Sequence, residues 1–265
     1  MAVDVVSWNV QGRVSSVPEQ AVALAERPAD VVALQEVRAT ALPAWREALG
    51  QLGYAYVHAA ELPRPASPDR RLGVLLASRD PLEPLPSPAL PWPERHAAAM
   101  TVAGELHVLH APISSKPDRV KVRTLETVAA ALAPPRPHPV ILVGDLNTPA
   151  YESREGDVRS FARTRAGRLR EGFDERHDAA ELGIVVGLGE HGYVDAFRTM
   201  HGYAARDRSW VYPNGKMGWR LDHALVRGAV VEACAYEHGW REQRLSDHSA
   251  IWLRVRRDFP AVGSN

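Results

Sequence analysis

The sequence contains a single cysteine, Cys234, and only three lysines among its 32 basic residues. One cysteine excludes an intrachain disulfide and a cysteine-rich zinc site. The 32 acidic residues balance the basic ones, so the net charge of zero gives no overall attraction to nucleic acid or to anionic membranes. This balance still allows a local basic groove.

Long hydrophobic runs are also lacking, since no segment approaches the roughly 18 consecutive apolar residues of a membrane span. The N-terminal segment MAVDVVSWNV has neither the positively charged start nor the apolar stretch of a secretory signal. We therefore expect a cytoplasmic protein without membrane association. With 45% apolar residues, the 265-residue chain has enough material for one globular domain over residues 1–258, followed by a tail at 259–265.

Short apolar runs that end in polar residues predict buried β-strands. They lie at 3–10, 30–36, 72–78, 104–111, 139–147, 221–226 and 248–255. Helical spacing predicts helices over 17–26 and 116–132, with Ser15 or Ser16 and Ser114 or Ser115 as N-caps. This mixture of strands and helices predicts an α/β fold.

Three segments interrupt this pattern. Repeated prolines predict loops at 61–71 and 80–95. Residues 151–191 form a charged insertion rich in arginine, and an arginine-rich face suits phosphate binding. Acidic residues alternate with these arginines, however, and that pattern favours a solvated helical surface.

Carboxylate, amide and imidazole side chains cluster at the ends of the predicted strands. They belong to Asn9, Glu36, His110, Asp145, Asn147, Asp222, Asp247 and His248. A carboxylate that ends a valine-rich run is costly to bury without a cation or donor opposite it. Oxygen ligands without cysteine suit Mg²⁺ or Mn²⁺, which in turn suit hydrolysis of a phosphate ester.

Each of these residues alone also has an ordinary structural explanation, such as a turn, a cap or a surface ion pair. Strand alternation turns Asp222 and His223 to opposite faces, so only one reaches the site, and we favour Asp222. By the same argument His107 is structural, whereas His110 faces the site.

Five blocks in sequence order resemble the signatures of the endonuclease/exonuclease/phosphatase superfamily. They are SWNVQG (7–12), LQE (34–36), GDLN (144–147), GWRLDHALV (218–226) and SDHSAIW (246–252). They are most similar to the branch of exonuclease III and abasic-site endonucleases. The resemblance implies a four-layer αββα sandwich built on two packed mixed β-sheets.

The resemblance also implies a role for each site residue. Glu36 would be the principal Mg²⁺ ligand, with Asn9 fixing metal and phosphate and Asp247 as a further metal contact. Asp145 would orient or deprotonate the attacking water, and Asn147 would hold the scissile phosphate. His248, positioned by Asp222, would hydrogen-bond the phosphate oxygens.

The substrate-binding segments combine features of two branches. Trp210 and Trp219 are similar to the aromatic residues that line the abasic-sugar pocket. The segment LHAPISSK (109–116) instead places His110 where other phosphodiesterase branches use a histidine to stabilise the phosphate or protonate the leaving oxygen. Residues 11–14, QGRV, depart from the abasic-site branch.

These features predict a Mg²⁺-dependent phosphodiesterase that cuts DNA. Two alternatives stay open from the sequence alone. The first is a phosphoesterase for a small phosphorylated metabolite or a lipid headgroup, which the zero net charge and His110 favour. The second is a non-catalytic binding protein that keeps the fold.

Overall fold

The computed structural model describes residues 1–60, 72–114, 119–212, 215 and 217–257. The strands are β1 (Ala2–Asn9), β2 (Val31–Arg38), β3 (Tyr56–Ala59), β4 (Leu72–Ser78), β5 (Glu83–Leu85), β6 (His96–Thr101), β7 (Gly104–His110), β8 (Val140–Asp145), β9 (Tyr151–Glu152), β10 (Val158–Arg159), β11 (Val194–Asp195), β12 (Trp210–Val211), β13 (Gly218–Trp219), β14 (Asp222–Arg227), β15 (Ala229–Glu237) and β16 (Ala250–Arg257). The helices are α1 (Val17–Glu26), α2 (Leu42–Gln51), α3 (Val120–Leu132), α4 (Glu175–Val185), α5 (Ala196–His201) and α6 (Gly239–Glu242).

Two six-stranded mixed sheets form the centre of the protein. The first has the order β15-β16-β1-β2-β4-β3 and the second β11-β14-β8-β7-β6-β5. The pairs β1–β2 and β7–β8 are parallel, and the remaining pairs in both sheets are antiparallel. Parallel neighbours end at the same edge of a sheet, so the polar ends of β1 and β2, and of β7 and β8, emerge together.

Strand alternation explains the layering. In β1, Val3 and Val5 pack into the core between the sheets, whereas Val6 and Trp8 face the opposite way. The outward face of the first sheet packs with residues of α1 and α2, and that of the second sheet with residues of α3 and α4. The layers are therefore α, β, β, α, which confirms the predicted sandwich.

The seven predicted strands and the helix at Val17–Glu26 are present. The differences between the predicted and the observed elements are local. Helix α3 begins at Val120 with Arg119 as its N-cap, later than predicted and without Ser114 or Ser115 as the cap. The predicted loop at 80–95 includes β5, whose Pro84 is tolerated because β5 lies at a sheet edge.

The interpretation of residues 151–191 as a solvated helical surface is wrong for 151–171, where the described backbone forms two short strands, turns and loops. Only α4 and a short 3-10 helix occupy the remainder of this insertion.

The predicted loop at 61–71 and the tail at 259–265 lie outside the described residues, and the single domain over 1–258 stays a prediction. No helix of the described chain is long and apolar enough to cross a membrane.

Candidate active site

Strand register brings three predicted site residues into one row. His110 at the end of β7 pairs with Asp145 at the end of β8, and Asp145 pairs with Asp222 at the start of β14. The strands lie close together here because Gly144 has no side chain: a Cβ at this position would lie 2.0 Å from the Leu109 carbonyl oxygen. The second sheet therefore presents two carboxylates and one imidazole at a single edge.

The first sheet contributes Glu36 through an irregularity in β2. The register between β2 and β4 shifts between Leu34 and Val37, and Glu36 has a left-handed φ of 59°. A bulge of this kind redirects a side chain, and positive φ in a non-glycine residue is strained unless the surroundings hold it. Here the strain accompanies a half-buried carboxylate, which is typical of a functional position.

Asn9 joins the two sheets at this edge. Its Nδ2 donates to Glu36 Oε1 at 3.1 Å and to Asp145 Oδ2 at 3.0 Å, while its Oδ1 accepts from the Gln11 backbone N–H at 2.9 Å. The Asn9 side chain is fully buried. It thus holds two carboxylates in place by hydrogen bonds, with its own oxygen turned toward Gln11.

His248 lies between two carboxylates. Its Nδ1 donates to Asp222 Oδ2 at 2.8 Å, and its Nε2 lies 3.8 Å from Asp145 Oδ2. Burial alone would lower the pKa of His248, but the carboxylates of Asp222 and Asp145 raise it well above its usual range. Burial raises the pKa of Asp145, against the opposing effect of His248. The pair combines a cationic hydrogen-bond donor with a carboxylate suited to accept a proton near neutral pH.

His110 is buried on the other side of Asp145, with Nε2 at 3.4 Å from Glu36 Oε1. Arg95 Nη1 lies 2.7 Å from His110 Nδ1 and 3.0 Å from His110 Nε2, so the guanidinium sits against the imidazole ring. Burial, Arg95 and His248 together hold the pKa of His110 well below its usual range. A neutral imidazole favours the first of its two predicted roles, hydrogen bonding to the phosphate.

Arg95 is a site residue that the sequence did not reveal. It follows the proline-rich segment, where periodic patterns are absent, and its charge acts on both Glu36 and Asp145. The side chain also stacks over Trp92, with its guanidinium carbon 5.2 Å from the ring centroid. Its permanent positive charge partly offsets the acidic cluster and is available to an anionic ligand.

Asn147 lies just beyond β8, with a left-handed φ of 50°. Its backbone N–H donates to Asp145 Oδ1 at 3.0 Å and its Nδ2 to the Ala111 carbonyl at 2.9 Å. The buried Lys121 supports this loop: its Nζ donates to the Asn147 carbonyl at 2.8 Å and to Glu181 at 2.6 Å. Glu181 in turn accepts from Thr148 and from the Phe161 backbone N–H.

Removing the charge of Lys121 should therefore destabilise the protein. The side chains of Lys121 and Glu181 are 4% and 3% exposed, and removing one partner of a buried pair costs about 3–5 kcal/mol. We expect Lys121→Met to lower the free energy of unfolding in urea by this amount. The matched control is Arg123→Met, at an exposed position of the same helix. Equal stability of the two variants would contradict the structural role of Lys121.

The two predicted substrate-binding tryptophans lie beside the cluster formed by Asp145, Asp222 and His248. Trp210 and Trp219 pair across β12 and β13 and stack with ring centroids 5.5 Å apart and an interplanar angle of 16°. Trp210 Nε1 donates to Asp247 Oδ2 at 3.0 Å, and Trp210 also bridges to the His248 backbone. Asp247 is thus anchored to the aromatic pair, and it belongs to neither of the two ligand clusters found among the described residues.

Two sets of side chains in the site have the spacing that a bound metal ion requires. Ligand atoms lie within 4.8 Å of one another in the set Glu36, His110 and Asp145 and in the set Asp145, Asp222 and His248. Among the described residues, the buried Asp222 Oδ1 has no hydrogen-bond partner. A set dominated by carboxylates, with an orphaned buried oxygen, suits a hard divalent cation.

His223 and His107 lie on the strand faces that alternation predicts, opposite the faces of Asp222 and His110. His223 faces away from the cluster and its Nε2 lies 2.8 Å from the Thr148 carbonyl oxygen. His107 lies in a separate network, with Nε2 at 2.7 Å from Glu105 and Nδ1 at 3.1 Å from His96. Both side chains thus make contacts outside the cluster that contains His110 and Asp222.

The sequence profile of the Endonuclease/Exonuclease/phosphatase family matches residues 6–248. The structure is similar to an AP endonuclease from Archaeoglobus fulgidus, with a TM-score of 0.73, 19% identity and coverage of 97% of this chain and 100% of that one. It is also similar to the 3' phosphatase NExo from Neisseria bound to product DNA hairpin, with a TM-score of 0.68, 20% identity, and coverage of 97% and 100% respectively.

A third similar structure is TDP2 from D. rerio complexed with single strand DNA product, with a TM-score of 0.66 and 17% identity. The match covers 96% of this chain and 99% of that one. Comparison with curated protein sequences gives no significant match.

Proposed function

Because the chain belongs to the Endonuclease/Exonuclease/phosphatase family, we propose that it is a Mg²⁺-dependent phosphodiesterase of the exonuclease III and abasic-site endonuclease type that hydrolyses DNA. The observation that carries this proposal is the convergence of Asn9, Glu36, His110, Asp145, Asp222 and His248 at the edge where the two sheets meet. We also propose that the protein is located in the cytoplasm, as expected from its sequence.

The residues around Asp145 would perform the hydrolysis. Asp145 accepts a proton from the water that attacks phosphorus, so a new P–O bond forms as the bond to the leaving oxygen breaks. His248 donates from Nε2 to the phosphate oxygens as negative charge develops, and Asp222 holds its ring in position. Asn147 and neutral His110 add further hydrogen bonds to the phosphate.

Glu36 would hold the metal ion, next to His110 and Asp145. Bound there, Mg²⁺ or Mn²⁺ supplies charge neutralisation at the phosphate and assists the leaving oxygen. Asn9 and Asp247 were the other predicted contacts. Asn9 acts first by fixing the two carboxylates, and Asp247 is available through the oxygen that does not accept from Trp210.

A phosphoesterase for a small phosphorylated molecule is the second candidate, favoured by the zero net charge of the chain. Salt dependence separates the two functions, since a duplex releases counterions when it binds. We expect activity on an abasic-site duplex to require Mg²⁺ and to be lost in chelator. The logarithm of kcat/KM should fall with the logarithm of salt concentration by about 0.9 for each phosphate contacted.

The substrate panel should include blunt duplex, single strand and small phosphoesters, each with Mg²⁺ and with chelator. Efficient hydrolysis of a small phosphoester with a shallow salt dependence would replace the DNA proposal by the second candidate. Absence of metal-dependent cleavage across the whole panel would instead support a non-catalytic binding protein.

A further inference from the structure

A cavity of about 690 Å³ opens beside the aromatic pair and is lined by residues from 149–170, 206–208 and 217–220, together with Arg198. Nine of its lining residues are arginines, whereas only Glu152 and Asp207 are acidic. The arginines are Arg154, Arg159, Arg163, Arg165, Arg170, Arg198, Arg206, Arg208 and Arg220. In a chain of zero net charge, this arginine cavity is a strong local concentration of positive charge.

Six of these nine arginines form no ion pair among the described residues, although the charges of Arg154 and Arg206 act on the exposed Glu155. Arg198 and Arg220 both pair with Glu152, and Arg163 pairs with Asp178 and Glu175. Within the part of the chain that the structure describes, the other six have no carboxylate oxygen within 4.0 Å. These six are Arg154, Arg159, Arg165, Arg170, Arg206 and Arg208. Unpaired arginines in a concave wall favour a ligand with several negative charges.

The arginine cavity adjoins the candidate active site along the chain and through the aromatic pair. Its lining begins at Pro149, two residues after Asn147, and ends at Arg220, two residues before Asp222. Trp219 forms part of its wall and stacks on Trp210, which donates to Asp247. Contacts therefore run from His248 through Trp210 and Trp219 to the wall of the arginine cavity.

Aromatic rings alternate with the arginines in the wall. The guanidinium carbons of Arg159 and Arg165 lie 5.8 and 5.3 Å from the Tyr151 ring centroid, and Phe161 packs edge-on against Trp219. Cationic groups beside half-buried rings suit an unpaired strand, whose phosphates meet the charges while its bases stack on the rings. A duplex hides its base faces and cannot use such a wall.

We propose that the arginine cavity binds the unpaired nucleic-acid strand that leads away from the scissile phosphate. This inference rests on the proposed function, because it takes the strand to begin at the catalytic cluster. It also gives a neutral chain a specific surface for a polyanion, without requiring overall positive charge.

Binding of a short fluorescein-labelled oligothymidylate, followed by anisotropy in EDTA at several salt concentrations, tests the proposal. We expect Arg159→Gln/Arg165→Gln to weaken binding and to reduce the salt slope by about 1.4, since each single-strand phosphate contact contributes about 0.7. The matched control Arg46→Gln/Arg123→Gln removes the same charge at exposed positions of α2 and α3 and should bind as the wild type does.

Three outcomes would overturn the proposal. They are equal binding by the cavity variant and the control, equal loss of affinity for a duplex of matched length, and displacement of the oligonucleotide by inorganic pyrophosphate at equal phosphate concentration.

A parallel cleavage assay with Mg²⁺ separates this inference from the proposed function. Cavity-dependent binding without any cleavage would reject the proposed function alone. Cleavage by a wild type whose binding does not depend on the cavity would reject the cavity alone.

Discussion

Replacing Asp145 by asparagine is expected to lower kcat on a phosphodiester by about 10²–10⁴, the usual contribution of a positioned general base. Asparagine keeps the size of the side chain but cannot take a proton from water. Affinity for the oligonucleotide in chelator should change little, because the arginine cavity and the aromatic pair are untouched. Single-turnover kinetics with saturating Mg²⁺ measures the loss.

The structure also indicates the control for this variant. Asp145 accepts from Asn9 on one oxygen and from the Asn147 backbone N–H on the other, so asparagine leaves one of these donors unpaired. Thermal unfolding of the variant is therefore needed beside the kinetics, together with Asp80→Asn at an exposed position. A loss below about tenfold in a folded variant would remove Asp145 from its role as base.

The second large effect is expected at Glu36. Changing even an outer partner of a metal ligand lowers metal affinity about 10–100-fold, so Glu36→Gln should cost at least that much. Activity would then need a correspondingly higher Mg²⁺ concentration. Calorimetric titration of the protein with Mg²⁺ alone gives a readout that does not depend on turnover.

Glu19→Gln, an exposed position of α1, is the matched control for this change. It should bind Mg²⁺ as the wild type does. Equal Mg²⁺ affinity of Glu36→Gln and Glu19→Gln would show that Glu36 is not the principal ligand. In that case the set formed by Asp145, Asp222 and His248 would be the remaining metal cluster among the described residues.

The parts of the fold that follow from local pattern were predictable. Strands such as β8 are short apolar runs with a polar end, and α1 has clear helical spacing, so both appear at or near their predicted bounds. The separation of Asp222 from His223 followed from alternation alone. These signals depend only on neighbours in the chain, which is why a single sequence reveals them.

Features that depend on long-range packing were not predictable in the same way. Glu36 reaches the site through a bulge and a left-handed backbone, which no residue pattern in LQE indicates. Arg95 meets His110 only after the second sheet has formed. The alternating charges of 151–191 suggested a solvated helical surface, but residues 151–171 fold together with distant segments. Six arginines around the resulting cavity form no ion pair among the described residues.

The position of β16 has a consequence for the time at which this chemistry becomes available. β16 pairs with β1 on one side and β15 on the other, and His248 directly precedes it. A chain in which β16 has not yet paired therefore lacks both a neighbour of β1 in the first sheet and the placement of His248 beside Asp222. Pairing of β16 and formation of the Asp222–His248 contact are thus coupled, so a partly folded chain with β16 detached has an incomplete candidate site.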